Sequence, residues 1–284
     1  MSLPEYPINY FTQEEIAAFE PMMKVGLVAT ITPEGLPHLT MLSTLKAVDE
    51  HSLSWGQFTE GTSFQNVLEN PKVGWLVMTL QKDLWRGKGD FTHNTTAGPE
   101  FDWYNQVPMF RYNAYFGIHT VYYMNLAGHT GKVPLPMNRI ILAAVKTMAS
   151  KIFLPKSDHQ VMNEWTRSIF NKLDNLKFLT YVNEDGYPVI IPVIQAQAAG
   201  TGHLIFATGA FTEELQTIPR DVPMTLFGLN LNMTDVVCRG AYQGLRWVGP
   251  HRCGVMEVDW VYSPMPPVAQ QVYPPVPLEP VREF

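Results

Sequence analysis

Apolar residues along this chain fall in short alternating or continuous runs broken by Gly, Pro, Asn and Asp, a pattern that predicts β-strands more than long helices. Strand-like runs occupy residues 25–31, 37–41, 53–55, 72–80, 84–91 and 117–126, and resume at 176–182, 187–195, 203–208, 224–229, 235–242 and 254–262. Pro33-Glu34-Gly35, Asp49-Glu50-His51 and Gln81-Lys82-Asp83 supply turn chemistry between them. Helical spacing is confined to a few places. Thr12-Gln13-Glu14-Glu15 reads as a capping box ahead of Ile16, Phe19, Met22 and Met23. Residues 62–70 stop at Pro71, and 98–108 form a further short helix. Residues 137–154 stop at Pro155, and 157–173 open on Ser157 with Gln160 at the capping-box position. From Ser263 onward seven prolines predict an extended tail.

The two strand-rich stretches can be laid over one another. Thr32-Pro33-Glu34-Gly35-Leu36-Pro37 matches Asn183-Glu184-Asp185-Gly186-Tyr187-Pro188, and Phe58-Thr59-Glu60 matches Phe211-Thr212-Glu213. Met78-Thr79-Leu80 then matches Met224-Thr225-Leu226, and Arg86-Gly87 matches Arg239-Gly240, in the same order. The expectation is a tandem duplication of an antiparallel barrel, because closure removes sheet edges that so few strands would leave open. The division expected is a first barrel with its N-terminal helix over 1–135, a helical connector over 136–175, a second and degenerate barrel over 176–263, and a Pro-rich tail over 264–284.

Of 284 residues, 46% are hydrophobic and 16% charged, so a sizeable core is available and a disordered protein is excluded. The formal net charge of -6 lacks the positive field that nucleic acid requires. The N-terminus carries Glu5, Glu14, Glu15 and Glu20, and the most apolar helical stretch is interrupted by Lys146 and Lys151. Neither a secretory leader nor a membrane span is expected, and no membrane partner. Cys238 and Cys253 have no metal-like spacing. These features fit a reduced, cytoplasmic protein.

Gly26-Leu27-Val28-Ala29-Thr30-Ile31, Gly35-Leu36-Pro37-His38-Leu39, Gln65-Asn66-Val67-Leu68-Glu69-Asn70-Pro71 and Arg86-Gly87-Lys88-Gly89, with Gly98-Pro99-Glu100-Phe101 after them, together resemble the pyridoxamine 5'-phosphate oxidase-like FMN-binding split barrels. The small bacterial FMN-binding proteins of that superfamily are the nearer likeness. The resemblance covers residues 23–126 and is fainter in the second half. It implies a fold that is mainly β with helices, two Greek-key split-barrel halves, and an FMN-binding flavoprotein acting as an oxidoreductase or electron carrier. It also implies a monomeric pseudo-dimer or a homodimer, with a small-molecule substrate or redox partner.

The resemblance places the FMN phosphate on the loop and helix holding Gln57, Phe58, Thr59, Thr62, Ser63, Gln65 and Asn66. The flavin ring goes against Thr40, Met41, Leu42 and Ser43. A dianionic phosphate suits a helix N-terminus whose N–H groups and hydroxyls point at it. The chain departs from the family in having no cation in this loop, where Glu60 adds an unfavourable negative charge, and Arg86, Lys88 or Arg239 is the expected substitute. The second half reads as degenerate at residues 212–219. Haem is the alternative cofactor, with His38, His119 or His129 as axial ligand, and a flavin-free scaffold is a third reading. The aromatic run with Asp102, Trp103, Tyr104 and residues 109–116, Arg111 included, suits a pocket wall or plain packing. No dedicated acid–base residue and no metal site is expected, and Cys238 is expected buried.

Overall fold

The structure is a computed structural model that describes residues 6–58, 61–107, 117–155, 160–265 and 269–277. The chain divides into two compact units. One holds the described residues up to Leu135 together with Val182–Ile190, and the other holds the described residues of Pro136–Tyr181 and those from Ile191 onward. The secondary structure is mainly antiparallel β with helices, as the pattern predicted.

In the first part of the chain, helix α1 (Gln13–Phe19) begins with the expected capping box, in which the Thr12 side chain and the Glu15 side chain each bond the other residue's backbone N–H. It is followed by β1 (Lys24–Ile31), β2 (Pro37–Met41), β3 (Lys46–Ala47), β4 (Ser52–Gln57), α2 (Thr62–Glu69), β5 (Lys72–Thr79), β6 (Asp83–Thr95), α3 (Pro99–Gln106), β7 (Thr120–His129) and β8 (Val133–Pro134). The sheet runs β2-β1-β5-β6-β7-β4-β3, with β8 paired to β6.

One face of this sheet carries Val28, Trp55, Val73, Trp75, Val77, Trp85 and Met124, packed with Phe11 and Phe19 from the N-terminal segment and with Phe64 and Val67 of α2. Phe19 meets Trp75 and Trp85 edge-on at centroid distances of 6.1 and 5.2 Å. Burying each indole is worth roughly 4–6 kcal/mol of transfer free energy before the entropy of ordering it.

The remaining elements are α4 (Met137–Lys151), α5 (Glu164–Asn171), β9 (Leu176–Val182), β10 (Pro188–Pro192), β11 (Gln197–Ala199), β12 (His203–Ala207), α6 (Thr212–Thr217), β13 (Pro223–Leu229), β14 (Asp235–Val248), β15 (His251–Ser263) and β16 (Gln270–Tyr273). Their sheet runs β10-β9-β13-β14-β15-β12-β11, the same order as the first, with β16 paired to β15.

The matched turns have the same internal bonds. Gly35 N–H donates to Thr32 O at 2.8 Å and Gly186 N–H to Asn183 O at 2.9 Å, each glycine holding a positive φ of 79° or 81°. Two of the other letter matches are not structural equivalents. Ala29 and Thr180 each lie three residues before their turn residue, Thr32 or Asn183. Ala29 faces Gly74, which faces Lys88, while Thr180 faces Thr225, which faces Arg239. The partner of Arg239 is therefore Lys88, not Arg86, and the Met-Thr-Leu match is shifted further still.

The equivalent dipeptides are Lys88-Gly89 and Arg239-Gly240, and both sit where the pairing with the next strand shifts by a bulge. A Cβ on Gly89 would lie 2.7 Å from Asn125 O, and one on Gly240 1.8 Å from Glu257 O. Close backbone approach at a bulge explains the repeated glycine.

Other expectations need correction. The helix expected over 157–173 begins later, as α5, because Met162 N–H is taken by Thr201 O at 2.8 Å and the chain stays non-helical there. Asn163, not Ser157, caps it, accepting from Thr166 N–H at 2.8 Å; Ser157 lies outside the described residues. The β14–β15 hairpin extends well beyond the expected 235–242 and 254–262, turning at Gly249. Part of the Pro-rich tail is a strand, since Gln270, Gln271 and Tyr273 pair with Ser263, Tyr262 and Val261. Cys238 and Cys253 are buried and unpaired, and burial pushes both thiols upward.

Candidate functional site

Helix α2 starts at Gly61, whose extended backbone (φ -154°, ψ 158°) supplies no side-chain cap, and no acidic residue occupies the first turn. The early N–H groups and the positive end of the helix dipole are therefore not answered by a capping side chain. Phe64 and Val67 bury the inner side of the helix, while Thr62 and Gln65 stay exposed.

The helix is tied to β1 and β2 by side chains. Ser63 Oγ bonds Thr40 Oγ1. Thr62 Oγ1 bonds His38 Nε2 at 2.9 Å, and Asn66 Nδ2 donates to Thr30 Oγ1 at 2.9 Å. The β1–β2 register sets Thr30 opposite His38 and Val28 opposite Thr40, so these groups share one face of the sheet. Gln57 joins the edge of this cluster, its Oε1 accepting from Tyr122 OH at 3.0 Å, and the Tyr122 ring lies 5.0 Å from that of Phe64.

Thr40, Ser63, Thr62, Asn66 and Gln57 are thus brought to one region. Met41 and Ser43 are half-buried, Leu42 is buried with its N–H on Gly26 O, and Phe58 packs beside Tyr104 and Val121. Gln65 faces outward. Thr59 lies outside the described residues, as do residues 109–116 with Arg111.

The expected cations are not brought there. Gly74 and Leu76 face Lys88 and Arg86, while Trp75 faces Val28, the residue opposite Thr40. Alternation along β5 puts Lys88 and Arg86 on the sheet face opposite Thr40 and His38. Arg86 is buried and its Nη1 donates to Ile190 O at 3.2 Å.

Lys88 Nζ pairs with Asp185 at 2.9 Å, and Lys72 Nζ donates to Asp185 O. Burial opposes ionisation of Asp185, but the hydrogen bonds from Lys88 and the Tyr187 N–H and the charges of Lys88 and Lys72 hold its carboxyl below the usual range. Tyr187 OH donates to both oxygens of Asp90 at 2.8 and 3.0 Å. Burial and the Asp90 carboxylate push its phenol up to about 12. The two ammonium groups lie over the Tyr187 ring at 4.6 and 4.8 Å. Arg239 belongs to the other unit and stacks on Trp260 at 4.3 Å.

His129 is fully buried with both ring nitrogens engaged, Nε2 with Tyr10 O at 2.8 Å and Nδ1 accepting from Gly131 N–H at 3.1 Å, so it offers nothing to a haem iron. His119 is exposed and bonds Thr120 Oγ1. Among the described residues no three His, Cys, Asp or Glu side chains gather as a metal site.

Two features go beyond the sequence reading, which offered Tyr104 only as pocket wall or packing. Tyr104 is buried, donating to Thr44 O at 2.8 Å and bonding Ser54 Oγ at 2.9 Å, and burial pushes its phenol far up. Thr44 in turn bonds both Gly56 N–H and Gly56 O. A cleft of about 450 Å³ lies between α1 and the β5–β6 turn, lined in part by Glu14, Lys24, Asp83, Trp85 and Lys132. Burial and the neighbouring Lys46 charge lower Lys24 from 10.5 to about 8. An isolated lysine in an apolar strand gives no sequence signal of this.

No family model matches the chain, and no curated protein matches it. Among solved structures, an FMN-binding protein from Syntrophomonas wolfei subsp. wolfei is 11% identical with a TM-score of 0.36, the match covering 43% of this chain and 86% of that one. A putative pyridoxamine 5'-phosphate oxidase from Lactobacillus delbrueckii is 15% identical with a TM-score of 0.36, covering 44% of this chain and 97% of that one. HupZ from Group A Streptococcus is 16% identical with a TM-score of 0.34, covering 42% and 91%.

Proposed function

We propose that this chain is a flavin-binding protein that holds FMN non-covalently, with the phosphate at the start of α2 and the ring against residues 40–44. The observation that carries the reading is the start of α2, which has no side-chain cap and no acid in its first turn, with the Thr62 and Ser63 hydroxyls held in place by His38 and Thr40. Backbone N–H groups at a helix start and fixed hydroxyls are the donors a phosphate requires. The resemblance of residues 23–126 to the FMN-binding split barrels supports the same assignment.

The fit is incomplete in one respect. Arg86 and Lys88 serve Ile190 and Asp185 instead, so binding rests on neutral donors and the helix dipole, and FMN affinity is expected to be modest. Bound FMN supplies hydride and electron transfer through its own ring. The protein's share is to orient the ring along β2 and to exclude water with Phe58, Phe64 and Tyr122. An oxidoreductase or electron carrier is the class of activity proposed.

The test is a visible spectrum of the purified protein, followed by titration of the flavin-stripped form with FMN. Flavin bands and saturable quenching, both lost in Thr62→Glu, are the expected result. A colourless protein that does not quench FMN fluorescence at micromolar concentration overturns the reading, and a Soret band replaces FMN by haem.

A further inference from the structure

The cleft of about 450 Å³ between α1 and the β5–β6 turn shares no lining residue with the start of α2, and the proposed function leaves it without a role. A volume of that size suits a small molecule. Lys24 sets the cleft apart. It pairs with Thr79, so the two side chains stand on one face of the sheet, and alternation along β5 makes that the face of Trp75, on which Phe19 of α1 packs. Thr79 lines the cleft, and so does Pro21, whose carbonyl oxygen accepts from Lys24 Nζ at 2.9 Å. The amine is thus held at the cleft wall on a residue only 5% exposed, bonded to a neutral acceptor.

Among the described residues no carboxylate bonds Lys24. Glu15 of α1 accepts from Trp85 Nε1 at 3.0 Å and closes the capping box, and Asp83 pairs with Lys132 at 3.0 Å. The field of Glu14 acts on Lys132, and that of Glu20 on Lys46. Burial and the Lys46 charge therefore loosen the Lys24 proton, which is lost at about pH 8. A neutral lysine amine beside a cleft is a nucleophile for carbonyl carbon. Lys177 makes the contrast: its proton is lost at about the same pH and its Nζ donates to Lys172 O, but it is fully buried and does not line this cleft.

The walls select the carbonyl compound. Ala18, Pro21, Met23 and Leu80 are apolar, and Met23 and Leu80 are 67% and 66% exposed, which leaves apolar surface for the body of a ligand. Glu14, Glu15 and Asp83 line the same space, and its other cation, Lys132, is already paired, so a carboxylated or phosphorylated carbonyl compound is repelled. We propose that Lys24 is a covalent capture site for small uncharged aldehydes with an apolar body, held in this cleft as a Schiff base. The unprotonated Nζ attacks the carbonyl carbon and forms the C–N bond, and the carbonyl oxygen takes up a proton. Loss of that oxygen as water, with the remaining N–H proton, leaves the C=N bond. One water is released, and nothing is oxidised or reduced.

The experiment treats the full chain near neutral pH with hexanal and sodium cyanoborohydride, which reduces the imine to a stable secondary amine, and reads each lysine by peptide-mapping mass spectrometry. Lys24 is expected to be alkylated at least about tenfold faster than exposed Lys82, because an amine that loses its proton at about pH 8 is free far more often at neutrality than an ordinary lysine. It is also expected to react at least about tenfold faster than Lys177, whose proton is equally loose but which lacks the cleft. The Lys24 rate is expected to rise with pH and level off above about 8. Leu80→Ser alters an exposed wall residue and is expected to slow hexanal about threefold while leaving the reaction with formaldehyde, which has no apolar body, unchanged.

Alkylation of Lys24 no faster than that of Lys82 overturns the proposal. Equal labelling of Lys24 and Lys177 overturns it as well, since a loosened proton without the cleft would then be sufficient. Reaction of Leu80→Ser with hexanal at the wild-type rate overturns the selection of an apolar body.

Discussion

The segments that follow the fourth strand of each sheet begin as counterparts and end as opposites. After β4, the helix starts from an extended glycine, has no acid in its first turn and runs eight residues. After β12, it starts from Phe211 in the left-handed region (φ 54°), has Glu213 and Glu214 in its first turn and runs six. Thr212 also turns its hydroxyl back to Gly209 O at 2.9 Å. The same place in the same sheet order thus presents a first turn without acids in one half, with Glu60 next to its Gly61 cap in the sequence, and a first turn with two carboxylates in the other. A shared architecture does not make a shared site; the first turn decides whether an anion is welcome.

The sharpest way to break the equivalence is at the bulges. Gly240→Ala drives a Cβ to 1.8 Å from Glu257 O and is expected to cost about 3 kcal/mol in urea unfolding, with Gly89→Ala, at 2.7 Å from Asn125 O, costing less. Converting the first helix start into the second comes next. Thr62→Glu is expected to weaken FMN about 100-fold, or about 2.7 kcal/mol, in a fluorescence titration, whereas Glu213→Gln with Glu214→Gln changes FMN affinity by less than about twofold.

Each half also buries one lysine near the start of its first strand. Lys24 and Lys177 are both lowered from 10.5 to about 8, chiefly by burial. Between about pH 8 and 10.5 the unfolded chain holds more protons than the folded one, so stability rises with pH across that window and is lowest below it. Lys24→Met is expected to raise stability at pH 7 by on the order of 2 kcal/mol and to flatten part of that rise, as read from urea midpoints. Asn66→Ala, which leaves the buried Thr30 hydroxyl without its donor, is expected to cost about 1.5 kcal/mol in the same assay.

The main strands and both turns were legible because each rests on local chemistry: alternation, a Gly that takes positive φ, a Pro that ends a helix. The capping box at Thr12 and Glu15 was legible for the same reason. The start of α5 was not, since a bond from Met162 to a loop far along the chain overrode a plausible local cap. The Arg-Gly match misled because letters recur at a bulge, and register rather than spelling reveals that Lys88 is the counterpart of Arg239. Thr62, Ser63 and Asn66 were singled out from motif order, but the fate of Arg86 and Lys88 depends on residues 185 and 190, about a hundred positions away, which no window on the sequence joins to them.

That distance has a consequence for how the protein is made. Arg86, Lys88, Lys72 and Asp90 each bond a residue of the segment Val182–Ile190, which packs with the first unit. During synthesis the ribosome has delivered every strand of the first sheet long before it delivers that segment. The first unit must therefore wait for those bonds while α4 and α5 are translated. A fragment ending at residue 135 would be a nascent-chain intermediate, not a domain.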